Sequence, residues 1–126
     1  MADTPEEAIE KAAHAYMAGD AEGLFEQLAE NVRVLGSEWE DHWDGRRTAL
    51  DGLAGELARR AKGGTVSGSL VDPPFTVDST ENNMAWSSRK GRLNIDAKVY
   101  EASWTTILRR EDAGWKIVHS HFSIHR

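Results

Sequence analysis

The segment from Ala102 to Ile124, ASWTTILRREDAGWKIVHSHFSI, leaves few folds open to this chain. Thr105 to Leu108 is a β-branched and apolar run, Glu111-Asp112-Ala113-Gly114 supplies turn chemistry with glycine where a positive φ is tolerated, and Trp115 restarts an apolar run. These features predict a hairpin of two long strands. Strict alternation in the second arm sends Trp115, Ile117, His119, His121 and Ser123 to one face and Lys116, Val118, Ser120, Phe122 and Ile124 to the other. Large side chains stand on both faces, so both must be covered.

What covers them is bounded by the rest of the chain. With 126 residues and no linker-like stretch, one domain over residues 1–126 is expected. The absence of cysteine excludes a disulfide framework, a thiolate-bound zinc and thiol catalysis. The first residues, MADTPEEAIEK, are acidic where a secretory leader is basic, and no run approaches a membrane span, so a cytoplasmic protein without membrane contact is expected. A formal charge of −6, with arginines in scattered pairs (Arg46-Arg47, Arg59-Arg60, Arg109-Arg110), argues against nucleic acid as a partner. No cofactor is expected. Nor is a metal: His119 and His121, with His125 at the same parity, are read as bonding across the sheet or lying in an interface. Five tryptophans in so short a chain are the compositional sign of a pocket.

In chain order, Thr4-Pro5-Glu6-Glu7 reads as a helix start, with an N-cap, proline at the first helical position and a capping-box glutamate. Ala8, Ile9, Ala12, Ala13, Tyr16 and Met17 follow at helical spacing until Gly19. Asp20 caps a second helix whose stripe is Leu24, Phe25, Leu28 and Ala29; Val32, Val34 and Leu35 then make a short strand closed by Gly36. A third helix opens at Asp44-Gly45 and ends at Gly63-Gly64. Strands follow over 65–71 and 75–79, broken by Asp72-Pro73-Pro74, then over Met84 to Arg89, with a polar turn expected at 89–92 and a long strand over 97–110. This order implies an α+β fold: three helices packed on a strongly curved, mainly antiparallel sheet that forms an open cone.

Ser37 to Asp44, SEWEDHWD, has neither a helical nor a strand period. One reading makes it a lid, with Trp39 and Trp43 closing over a cavity and Asp41, His42 or Asp44 offering a carboxylate or imidazole to a ligand. The other has Trp43 plug the core and Asp44 cap the next helix, the remaining side chains being solvated.

Three stretches, AYMAGDAEGLFEQLAENVRVLG, WDGRRTALDGL and SWTTILRREDAGWKIVHSHFS, together resemble the SnoaL-like branch of the nuclear transport factor 2-like superfamily, from about Thr4 to Ser123. The resemblance implies the cystatin-like cone, a pocket on the concave sheet face and a homodimer through the sheet's other side. It does not imply a reaction, because the fold hosts many. The ketosteroid isomerase Tyr and Asp of this superfamily fall here on Ala12 and near Gly36, so that acid/base machinery is unmatched. Similarity at the C-terminus to the association domain of calmodulin-dependent kinase II implies that Trp86, Ser88, Trp104, Thr106, Val118, Ser120 and Phe122 face the cone and that His119 and His121 face away. The pocket arginines of that domain fall at about Ser88, Thr106 and Phe122, which implies an aromatic, mildly polar cavity.

Two functions follow. The first is a pocket of Tyr16, Trp39, Trp43, Trp86, Ser88, Trp104, Thr106, Ser120 and Phe122 holding a small apolar or aromatic molecule, with Asp41, His42 or His121 as candidates for proton transfer in an isomerase, cyclase or hydrolase. The second is a non-catalytic homodimeric binding or association module.

Overall fold

A computed structural model describes residues 2–36, 41–61, 67–70, 76–95 and 98–125. Helix α1, Pro5–Ala18, begins as its sequence dictates: Thr4 Oγ1 accepts the Glu7 N–H at 3.1 Å with Pro5 at the first position, and Gly19 ends the helix at φ 71°. Asp20 then accepts the Gly23 N–H at 2.9 Å and starts α2, Ala21–Gln27. The chain passes without a loop into β1, Leu28–Leu35, so Leu28 and Ala29 belong to the strand and not to the helical stripe expected of them. Lys116 Nζ donates to the Glu26 carbonyl near the end of α2, where cations are favoured.

The segment expected to be irregular before α3 contains a short strand. β2, His42–Asp44, pairs antiparallel with β1, setting Asp44 opposite Arg33, Trp43 opposite Val34 and His42 opposite Leu35. Asp44 does not cap the following helix, because its carboxylate is bound to Arg33 Nε at 2.9 Å. Gly45, at φ 91°, takes the capping position for α3, Arg46–Ala61, and its carbonyl accepts the Ala49 N–H. The remaining strands are β3 (Ser67–Leu70), β4 (Ser79–Glu81), β5 (Met84–Ile95), β6 (Lys98–Glu111) and β7 (Gly114–His125). Residues 89–92 continue β5 rather than turning, because each has a partner on β6.

The sheet order is β2-β1-β7-β6-β5-β3, with β4 also on β5 and with β1 parallel to β7. The β6–β7 hairpin has its turn where the sequence places it, Glu111 facing Gly114 at φ 104°. The three helices lie on one face, here called inner. Ala85, Leu108, Trp115 and Ile117 of the sheet join Ala8, Ala12, Leu24, Val32, Leu50 and Leu57 in one core. The arrangement is the α+β cone expected, helices on one side of an unclosed mixed sheet. No helix among the described residues is long and apolar enough to cross a membrane.

Candidate functional site

Residues directly opposite on neighbouring strands share a face, so the register assigns the inner face residue by residue. Leu108 is wholly buried in the core and pairs with Ala85 and Ile117. Two residues along, Thr106 pairs with Ser87 and Ser120; two further, Trp104 pairs with Arg89 and Phe122. The inner face therefore carries a row of hydroxyls beside a row of guanidinium, indole and phenyl. The Trp104 and Phe122 rings are 6.4 Å apart between centroids and tilted by 33°.

One residue breaks the alternation of β7. Ile117 pairs with Leu108 and His119 with Ile107, which leaves Val118 as the extra residue of a bulge. Trp115 and Ile117 consequently share the inner face with Ser120 and Phe122, where strict alternation sets them apart. The same bulge leaves His119 and His121 on the outer face.

Arg89 is the charged group of the inner row, its side chain only 12% exposed. Its Nη1 lies 2.9 Å from Asp78 Oδ1 and also donates to the Ser88 carbonyl; its Nη2 donates to the carbonyl and hydroxyl oxygens of Thr76. Ser87 Oγ donates to the same Thr76 carbonyl at 3.0 Å. These bonds tie residues 76–78 along β5. The hydrogen bond from Arg89 holds the Asp78 carboxyl below its usual range, with the Ser88 N–H adding to the effect. Arg89 Nε is buried and has no hydrogen-bond partner among the described residues.

The structure sorts the expected pocket residues. Trp104, Thr106, Ser120 and Phe122 are brought together on the inner face. Trp43 is also on it, opposite Val34, with its indole against the backbone of α3 at Gly52. Tyr16, on α1, donates its hydroxyl to Glu56 Oε1 on α3 at 2.5 Å. Trp86 and Ser88 are corrected: they pair with Ile107 and Thr105 and so lie on the outer face, Trp86 46% exposed. Trp39 lies outside the described residues, as do Glu38 and Glu40.

The candidates for proton transfer do not gather around that floor. His42 pairs with Leu35 and His121 with Thr105, both on the outer face, where His42 Nε2 is 3.6 Å from Asp44 Oδ2. Asp41 folds against Gly36, whose N–H donates to the Asp41 carbonyl at 2.8 Å. Among the described residues no group of three His, Asp or Glu side chains is placed to hold a metal ion.

Arg89, Ser87 and Glu56 were not among the expected pocket residues. Arg89 and Ser87 were hidden by parity: in an antiparallel pair that sets Met84 opposite Arg109, odd positions of β5 share a face with even positions of β6. Large apolar Met84 and Trp86 look like inward residues, yet the inward set is Ala85, Ser87 and Arg89.

A SnoaL-like domain model matches residues 6–126. No curated protein sequence matches the chain. Among solved structures, a nuclear transport factor 2-like protein of unknown function from Pseudomonas putida superposes with a TM-score of 0.79 at 17% identity, over 93% of this chain and 81% of that one. A Thiobacillus denitrificans protein named for the calcium/calmodulin-dependent protein kinase type II association domain gives 0.78 at 19% identity, over 100% and 98% of the two chains. A Shewanella frigidimarina protein named as a ketosteroid isomerase gives 0.74 at 16% identity, over 96% of each. At such identities the superpositions speak for the fold, and the domain match for the family: this chain belongs to the SnoaL-like family.

Proposed function

We propose that this protein binds a small aromatic or acyl molecule on the inner face of its sheet. The observation that carries the reading is the row Arg89–Trp104–Phe122, in which the register sets two aromatic residues beside an arginine whose buried Nε has no acceptor among the described residues. A ligand ring would lie against Trp104 and Phe122, with an oxygen accepting from Arg89 Nε–H and the Thr106 and Ser120 hydroxyls beside it. The family supports a ligand-binding or isomerase-type role, and a binding role needs nothing beyond these groups. Proton transfer by His42 or His121 is not part of the reading, since both face outward.

Binding of anilinonaphthalene sulfonate, followed by its fluorescence, tests this. Trp104→Ala is expected to weaken binding at least about tenfold, the loss of one large aromatic contact, while Trp86→Ala on the outer face leaves it unchanged. Equal binding by both variants and the parent would overturn the reading.

A second reading concerns assembly and is favoured by a separate observation. Trp86 and Met84 are 46% and 42% exposed beside Ile107 on the outer face, lining a depression of about 250 Å³ with Ser79, Glu81 and Ala85. A covered outer face accounts for large apolar side chains at such positions, and a second copy is the partner the reading commits to. Sedimentation at micromolar concentration tests it, and a monomer there would count directly against it.

A further inference from the structure

The helix side of the molecule carries a depression that the inner face of the sheet has no part in. It holds about 440 Å³ and runs between α1 and α2. Small residues keep it open. Ala15 and Ala18, at helical spacing on α1, line it together with Gly23 of α2, where a methyl group would stand 3.3 Å from the Ala15 Cβ and closer still to the Asp20 carboxylate.

Gln27, the last residue of α2, also lines this depression and is only 5% exposed. Its side-chain amide makes no hydrogen bond among the described residues. An amide has two N–H donors and an acceptor oxygen, and burying it without partners is unfavourable, whereas methionine at the same position would carry no such cost. A polar partner standing in the depression would satisfy it.

The walls carry charges of both signs. Lys11 and His14 stand on the α1 side, Asp20 and Glu26 on the other. Asp20 is held by its capping bond, Oδ1 accepting the Gly23 N–H at 2.9 Å, and Lys11 pairs with Glu7 one turn back at 3.0 Å. A simple anion would meet Asp20 and Glu26, and a simple cation would meet Lys11. A molecule that bears both charges is matched on both walls.

We propose that this depression is a ligand site for a small zwitterion, a free α-amino acid. Its carboxylate accepts from the Gln27 amide N–H and lies toward Lys11 and His14. Its ammonium donates to the Gln27 amide oxygen and lies toward Glu26 and Asp20. The volume leaves room for a side chain as well. The site shares no residue with the aromatic row of the sheet, so loss of either leaves the other.

Nitrogen–proton correlation NMR during titration with L-alanine tests this, because the Gln27 side-chain amide has its own pair of resonances. The expected result is saturable shifts of that pair and of the His14, Ala15 and Ala18 amides, with a dissociation constant no weaker than about 5 mM. Propionate and ethylamine, which carry one charge each, are expected to bind at least about tenfold more weakly. Gln27→Met removes the amide and Ala18→Phe, at an exposed position, fills the depression; each is expected to weaken L-alanine binding at least about tenfold, while Trp104→Ala leaves it unchanged. Should Gln27→Met not fold, Ala18→Phe decides. Binding of L-alanine weaker than about 5 mM or absent, propionate or ethylamine binding as tightly, or a folded Ala18→Phe variant that binds like the parent overturns the proposal.

Discussion

The indole of Trp43 lies on the backbone of α3 at Gly52. A methyl group built there would stand 2.7 Å from Cζ2 and nearer still to Cε2 and Nε1. This contact chooses between the two readings of the Ser37–Asp44 segment for Trp43: the ring plugs the gap between β2 and α3, and only a residue without a side chain lets it approach. Gly52→Ala is therefore expected to destabilise the protein by about 1–3 kcal/mol, although alanine is the better helix former. Urea unfolding checks this, and a variant as stable as the parent would show that Trp43 is not seated on α3.

Gly19 and Gly55 make a matched pair. Gly19 sits at φ 71°, and a methyl group there would meet the Ala61 Cα at 2.9 Å and the Leu57 carbonyl at less, so the α1–α2 corner abuts the end of α3. Gly55, inside α3, has nothing within 4 Å of its would-be side chain. Gly19→Ala is expected to cost about 2 kcal/mol or more through left-handed strain and backbone collision. Gly55→Ala is expected to gain up to about 1 kcal/mol from helix propensity alone. Thermal melts of the two variants should move in opposite directions, and movement in the same direction would contradict the packing described.

How far the sequence shows this fold depends on whether a signal is local. The caps at Thr4, Gly19 and Asp20 and the turn before Gly114 are decided by residues within a few positions, and each is where the sequence places it. What it does not show is register. The Val118 bulge and the pairing of Arg89 with Trp104 are agreements between strands, and no alternation within β5 or β7 alone reveals them. The candidate floor was half legible for that reason: Trp104, Thr106, Ser120 and Phe122 could be read, whereas Trp86 and Ser88 stood in for Ser87 and Arg89. Leu28 and Ala29 were misassigned because a buried strand start and a helical stripe look alike over two residues.

Asp78 and Arg89 hold residues 76–78 along the β5 edge, with the Ser88 N–H donating to Asp78 Oδ2 at 2.7 Å. Asp78→Ala is expected to raise hydrogen exchange at the Ser88 amide by at least about tenfold while leaving amides of the β6–β7 hairpin unchanged. The pH sense follows from the direction of the shift. A carboxyl whose folded pKa is depressed stabilises the fold above its unfolded value, near 3.8, and that contribution is lost as pH falls through the lower folded value. Protection at Ser88 should therefore persist at about pH 5, above the unfolded carboxylate value, and weaken in stronger acid. Loss of protection already at neutral pH would exclude Asp78 as the anchor.

Tyr16 and Glu56 link the first helix to the third by a phenol that donates to a carboxylate. Both side chains are partly exposed, so water screens the bond, and its removal is worth about 1 kcal/mol rather than the larger figure for a buried charged acceptor. Tyr16→Phe keeps the ring against the core and deletes the donor; Glu56→Gln keeps an acceptor and deletes the charge. The first is expected to lower the melting temperature by about 3–5 °C and the second by less, since an amide oxygen still receives the phenol proton. If the pair instead formed part of the ligand site, Tyr16→Phe would change anilinonaphthalene sulfonate binding as strongly as Trp104→Ala does. The expected outcome is a stability loss with binding retained, which would make the pair a brace between α1 and α3 and leave the aromatic row on the sheet as the contact surface for the ligand.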